Sequence, residues 1–414
     1  MSKVKRVGII GGGAAGLFAA CQLKQLSAGS DIEVTILEKN PVPGIKLTLT
    51  GHGRCNITNR KDAADLKKGF HEAENFVYPA IREFGPEDAM RFVTDKLGLK
   101  LKEEENNRVF PVCDSAVKVR DAIVSYISGT SKTLTSTTVL SITHPSDFEV
   151  TTDKGSYRFD YVILSCGGSS FTKTGSAGDS YRFAGSLGHT VSSARAALAP
   201  VRAGRDSVGL CKRLSGVSVA ASASLYHEGK KTASMNGELL FADFGLTGPA
   251  VMELSREIPL EIKDTFIELD MTPDLSDEEY DKELQKLIND HPDTKISTLL
   301  ARSVPASVAG EIAARAGAEG QYAQGFTKDN RKKVCREMKH LKIVIDTVPE
   351  IDKAYVTRGG VLLKEVDRKT MGSKLVPGLY IIGEALDVDG ISGGYNLQAC
   401  MSEAYLAAKS IIQS

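Results

Sequence analysis

The chain is 414 residues long, 42% hydrophobic and 25% charged, an ordinary globular balance with room for two or three domains. Its 52 Lys and Arg offset 52 Asp and Glu exactly in number, and a chain without basic excess is a poor candidate for general nucleic-acid binding. Seven scattered Cys without a C-x-x-C pair and seven scattered His argue against a disulfide framework or a metal site, and for a reducing, cytoplasmic setting.

In chain order, Val4–Ile10 reads as a buried parallel strand that runs into glycine. The start, MSKVKRVGIIGGGAAG, has no cleavage site and does not resemble a signal peptide. No apolar stretch approaches the roughly 20 residues of a membrane span. Ala14–Leu26 follows as a helix and Glu33–Leu37 as a second strand, ending at Glu38. Residues 39–60 are irregular, 72–98 helical with a break at Gly85-Pro86, and Ser115–Ser128 helical. Thr133–Ile142 and Glu149–Asp160 alternate like antiparallel strands, the second turning at Asp153-Lys154-Gly155, and Tyr161–Leu164 is a short apolar strand. Val217–Tyr226 and Leu260–Met271 predict an antiparallel module, 274–340 a helical piece, 342–347 and 379–383 strands, and Asn396–Ile412 a closing helix. The expected class is α/β: a parallel-sheet nucleotide-binding domain made from both ends of the chain, with an inserted antiparallel β module and a helical subdomain. The expected boundaries are 1–190 with 348–414 for the first, 191–273 with 341–347 for the second, and 274–340 for the third.

Four motifs carry the chemistry. In Gly11-Gly12-Gly13-Ala14-Ala15-Gly16 a strand ends in glycine and a helix begins. Gly11 permits the turn, Gly13 the approach of a pyrophosphate, and Gly16 close helix–strand packing, while the helix N-terminus attracts phosphate. Glu38 lies 22 residues beyond Gly16, placed for an adenosine ribose, with Lys39 next to it. This motif alone does not separate NAD from FAD. At the other end, Gly383-Glu384, Asp387 and Gly393-Gly394-Tyr395-Asn396-Leu397 again join a strand end, acids and a glycine-opened helix. In two-dinucleotide-fold flavoproteins such an acid holds the ribityl chain, and the helix aims its positive end at the flavin edge that gains charge on reduction. Having both elements favours FAD, and makes the expected domain a Rossmann-like FAD-binding domain of the two-dinucleotide-binding-fold flavoprotein type. The third motif is the strand exit Cys166-Gly167-Gly168, to which Asp179 and Val139 are added as cofactor candidates. The fourth is the loop 44–59, in which Lys46, Gly53, Arg54, Cys55 and Asn56 can lie against a cofactor.

With these motifs the chain resembles the bacterial NAD(P)/FAD-dependent oxidoreductases of the aminoacetone-oxidase-like and bile-acid enone reductase type, formerly labelled NAD(FAD)-utilising dehydrogenases. The matching segments are 44–59, Asn107–Pro111, Thr174–Asp179, Gly237–Pro249 and Gly378–Asn396. Departures are Ser165-Cys166 for the usual Ala-Thr, Asn107 for Gly, and Gly372 where Glu is common. The resemblance implies a two-lobed enzyme with non-covalent FAD, acting by amine oxidation or enone reduction.

The expected reaction is hydride transfer between flavin N5 and a small organic substrate lying between the FAD domain and the insert. NAD(P)H would bind only transiently, because a single dinucleotide fingerprint is present. No nucleic-acid or membrane partner is expected, and the oligomeric state is left open. Arg54, Tyr395 and Asn396 are the candidate catalytic residues. Cys55 has no partner thiol at redox spacing, His52 and His189 read as structural, and the basic stretch Lys328–Lys342 as a solvated helix face. Two rival readings are a non-catalytic flavin sensor presenting 274–340 to a partner, and a tRNA-modifying flavoenzyme.

Overall fold

A computed structural model describes residues 4–27 and 31–414; Met1–Lys3, at the head of the amino-terminal run, lie outside the described residues. The chain divides into two compact units, Met1–Arg195 with Tyr355–Ser414, and Ala196–Ala354.

The first unit is built on a parallel sheet. Its strands are β1 (Lys5–Ile10), β2 (Ile32–Leu37), β3 (Ser131–Leu134), β4 (Tyr161–Leu164) and β5 (Leu379–Ile381), in the order β5-β4-β1-β2-β3. Neighbours are in parallel register, Ile9 beside both Ile36 and Ile163, and Leu164 beside Ile381. Strands covered on both faces read as continuous apolar runs, and the last four residues of β1 and all three of β5 are buried. Helix α1 (Ala14–Leu26) lies between β1 and β2 in the chain, and its Ala15–Leu23 stretch is buried without interruption. The closing helix α2 (Tyr395–Gln413) joins the same core.

Residues 133–142 do not form the single expected strand. Ser136 takes a left-handed φ of 48° and breaks the run. Its N–H and that of Thr137 donate to the carbonyls of Asn40 and Glu38. Residues before the turn pair parallel with β2, whereas Val139–Thr143 pairs antiparallel with Phe148–Thr152 in a separate three-stranded sheet. A period of two marks extended chain without saying which partner it finds.

The second unit holds a six-stranded sheet of antiparallel neighbours. Its order is Val201–Arg202, Gly245–Thr247, Lys230–Ala242, Ser218–His227, Thr265–Asp270 and Leu341–Val344. The 13-residue strand Lys230–Ala242 escapes the hydrophobic pattern because its first nine residues are largely solvated. Helices within 277–339 share one core with this sheet, bringing Leu284, Ile312 and Met338 together with Leu225 and Ile267. The basic stretch departs from the solvated face expected of it. Arg331 is buried and makes paired bonds of 2.7 and 3.0 Å to Asp281. Lys339 is buried against Asp270 at 2.7 Å, so two of these cations pin the helix Lys328–Lys339 to its neighbours.

Candidate functional site

The carboxyl ends of β1, β4 and β5 lie side by side, and their exit loops form the site in the first unit. At β1 the turn is set by glycine. Gly11 has φ of 101°, and a Cβ there would stand 2.7 Å from the Ser165 carbonyl. A Cβ at Gly16 would be 2.0 Å from the Gly11 carbonyl, so the fold itself requires both glycines. Gly13 differs. Its φ is −75°, and a Cβ would find nothing nearer than the Ser165 carbonyl at 4.0 Å. Among the described residues no contact demands glycine at 13, so the backbone there is open to a closely approaching ligand. From Gly13 through Ala14 and Ala15, α1 starts with neither a side-chain cap nor an acid in its first turn, leaving its N–H groups and positive dipole end for phosphate.

Glu38 is buried and held rigidly. Its Oε2 accepts the Gly12 N–H and its Oε1 the Asn40 N–H, both at 2.8 Å, which leaves lone pairs for ribose hydroxyls. Lys39 pairs with Asp179 at 2.6 Å at the head of the helix Asp179–Ser186. Val139 is buried two residues beyond Thr137, whose N–H binds the Glu38 carbonyl. At the β4 exit the Ser165 hydroxyl and Cys166 Sγ both reach the Ile10 carbonyl, tying β4 to β1. Gly167 is left-handed, with φ of 76°. Gly168 lies so close to Thr357 that a Cβ would be 2.4 Å from its hydroxyl.

Lys46 and Glu384 meet at 2.7 Å. Lys46 also donates to Ser170 Oγ at 2.7 Å. Glu384 Oε1 accepts from Ser170 Oγ at 2.9 Å and from the Thr357 N–H at 2.6 Å. Burial pushes this carboxyl up, but Lys46 and the hydrogen bonds outweigh it and hold Glu384 below the usual carboxylate range. Beneath the turn, fully buried Glu403 on α2 accepts the Gly383 N–H at 2.6 Å; burial pushes it up to about 8. Asp387 accepts the Gly359 N–H and the Ser192 hydroxyl, both at 2.9 Å.

Helix α2 also starts uncapped and without an acid in its first turn, from Gly393 and Gly394 at φ of 102° and 99°. A Cβ at Gly394 would be 2.4 Å from the Thr58 carbonyl, so the helix start is pressed onto the 55–59 loop. A buried network locks it there: Thr58 Oγ1 donates to Gln398 at 2.6 Å, and Gln398 and Ser402 donate to the Phe84 carbonyl.

The model of the HI0933-like protein Rossmann domain family matches residues 5–410. The chain belongs to that family. The chain is 29% identical over 413 residues to a 3-dehydro-bile acid delta(4,6)-reductase of Clostridium scindens, covering 98% of this chain and 99% of the relative. It is also 29% identical over 424 residues to a ribosomal RNA dihydrouridine synthase of Haemophilus influenzae, covering 99% of each. Among solved structures, a 3-ketosteroid delta1-dehydrogenase of Sterolibacterium denitrificans shares the fold at a TM-score of 0.51 and 13% identity, over 98% of this chain and 99% of that one.

The fingerprint glycines, Glu38, Lys46, Gly167, Gly168, Gly383 and Glu384 gather at the carboxyl ends of the parallel strands, whereas other candidates are engaged elsewhere. Arg54 pairs with Glu104 at 2.8 Å and lies 4.1 Å over the Phe110 ring. Gly53 and Cys55 are left-handed, at φ of 83° and 66°. Burial pushes the Cys55 thiol up to about 12, the Thr50 hydrogen bond pulling the other way, so it is no thiolate at neutral pH. The Asn56 amide donates to the Thr58 and Val109 carbonyls. Tyr395 is buried edge-on against Phe70, and its hydroxyl accepts from Lys61 at 3.1 Å. Asn396 grips Gly390 through its N–H and carbonyl, and Leu397 is buried. His52 is exposed, while His189 is buried between Glu365 and Ser373, its pKa lowered by burial. Sequence reading missed Ser170, Thr357 and Glu403. Only Glu403 carried a signal, as the one acid between Ala399 and Ala407 at helical spacing.

Proposed function

We propose that this protein is an FAD-dependent reductase of carbon–carbon double bonds conjugated to a carbonyl, with FAD held non-covalently and NAD(P)H visiting only as the electron donor. The observation that carries this reading is the pair of bare helix starts. Both α1 and α2 begin at glycine, uncapped and free of first-turn acids, in the unit whose β1, β4 and β5 end side by side. The α1 N–H groups would bind the pyrophosphate, Glu38 the adenosine ribose, and Glu384 the ribityl chain. The start of α2 would stabilise negative charge where it develops on reduction. Bound FAD supplies a hydride at N5.

The choice of substrate class rests on chemistry common to the two relatives' names. A 3-oxo steroid unsaturated at positions 4 and 6, and a uracil ring on its way to dihydrouridine, both present a double bond conjugated to a carbonyl. A small molecule is the first reading, because the chain has no net charge with which to attract RNA. The dihydrouridine synthase name supports RNA as the second reading, with steeply salt-dependent retention on RNA as its mark.

Anaerobic stopped-flow absorbance tests the proposal. NADH or NADPH should bleach the flavin band, and an added 3-oxo-4,6-diene steroid should restore it faster than buffer does. Restoration by oxygen alone would refute the reductase reading in favour of an oxidase. Protein that is colourless and takes up no FAD would refute the flavin assignment.

A further inference from the structure

Resting on the flavin reading above, we propose that Lys46 is a positioning residue that acts through Glu384: it fixes that carboxylate and, with it, presents a matched donor and acceptor to one hydroxyl of the flavin's ribityl chain. The argument is an account of donors and acceptors. A carboxylate offers about four lone-pair sites. On Glu384, Oε1 takes the Ser170 hydroxyl and the Thr357 N–H, and Oε2 takes Lys46. One acceptor site remains, on Oε2. The Lys46 ammonium has three donors and uses them on Glu384 and Ser170, which leaves one.

The surrounding hydroxyls have no donor left. Ser170 donates to Glu384 and accepts from Lys46 and from Thr357 at 3.1 Å. Thr357 in turn accepts the Ser169 N–H at 2.9 Å. The one donor left in the cluster is therefore an ammonium N–H, and beside it is an unused carboxylate lone pair, on groups 2.7 Å apart. A hydroxyl donates and accepts through one oxygen, so it answers both at once. A phosphate oxygen accepts only, and meets the carboxylate as a like charge. Both side chains keep part of their surface open, 23% for Lys46 and 19% for Glu384, so a ligand can reach them. The pairing sets Lys46 on the ribityl chain rather than on the pyrophosphate or the reduced ring.

The test is a double-mutant cycle on FAD affinity, read by flavin fluorescence quenching on apoprotein of the wild type, K46M, E384Q and the double variant. Each single change should weaken FAD binding on the order of tenfold. The double variant should lose less than the sum of the two single losses, because both groups serve one hydroxyl and Lys46 also fixes Glu384. K46R should recover part of the loss, and the reduction potential of K46M-bound FAD should match the wild type. Additive losses, an unchanged affinity in K46M, or a lowered potential in K46M would each overturn the proposal. If K46M does not fold, as judged by circular dichroism of the apoprotein, K46R and E384Q against their own double variant carry the same comparison. Wild-type apoprotein that takes up no FAD overturns the flavin reading itself, an outcome distinct from any of these.

Discussion

Replacing Glu403 by Gln should free the folded protein from a pH-dependent burden. The Glu403 side chain is fully buried on α2; Oε2 accepts the Gly383 N–H at 2.6 Å, and Oε1 has no hydrogen-bond partner among the described residues. Burial raises its pKa from 4.5 to about 8. A group raised in this way binds its proton more tightly folded than unfolded, so its burden is absent at low pH. Stability is lost as pH climbs from the unfolded value to the folded one. Each pH unit in that window costs about 1.4 kcal/mol, so between pH 5 and pH 7 the loss is about 3 kcal/mol. Gln keeps a carbonyl oxygen for the Gly383 N–H and cannot ionise. Urea unfolding of wild-type and E403Q apoprotein, followed by circular dichroism at pH 5, 6, 7 and 8, isolates the effect, because every other titration is common to both. The advantage of E403Q should grow with pH by about that amount and level off above the folded value. A difference that stays flat across the series would mean that Glu403 is ionised in the folded protein, and the reasoning from burial would fail.

Two further substitutions separate ligand binding from folding at the first glycine turn. Gly13→Ala, whose Cβ would find nothing within 4.0 Å but the Ser165 carbonyl, should leave the apoprotein's melting temperature within a few degrees while FAD binding falls sharply. Gly16→Ala, driven to 2.0 Å from the Gly11 carbonyl, should lower the melting temperature of the apoprotein itself; an unchanged melt would refute the close helix–strand packing. At the buried network, Gln398→Ala strands the Thr58 hydroxyl and removes a donor from the Phe84 carbonyl. It should cost about 2–4 kcal/mol in denaturant unfolding at constant m-value, and a loss under about 0.5 kcal/mol would show that the network does not hold the α2 start.

Much of the sheet edge was legible before the fold. The strand–turn–helix of residues 5–26, the acid at 38 and the glycine-opened closing helix are local features. Backbone dihedrals, apolar runs and helix starts are settled by neighbours in the chain, so the sequence carries them openly. Lys46 shows the limit. Its loop was recognisable as a cofactor loop, but its partner is Glu384, 338 residues away, and no spacing rule joins the two. Arg54 and Tyr395 were singled out by position. Only packing aimed the first at Glu104 and Phe110, and set the second against Phe70 and Lys61.

The same division holds for strands and charges. Alternation announced extended chain at 133–142, yet the left-handed Ser136 sends its two halves to different sheets. A basic run predicts a solvated helix, yet Arg331 and Lys339 are buried against Asp281 and Asp270. By itself the sequence determined most of the elements and the glycine turns, because these follow from short-range sterics and periodicity. The tertiary structure alone decided which charges meet, which acid is desolvated and which side chains remain open to a ligand, because pairing and desolvation depend on groups that only the folded chain brings together.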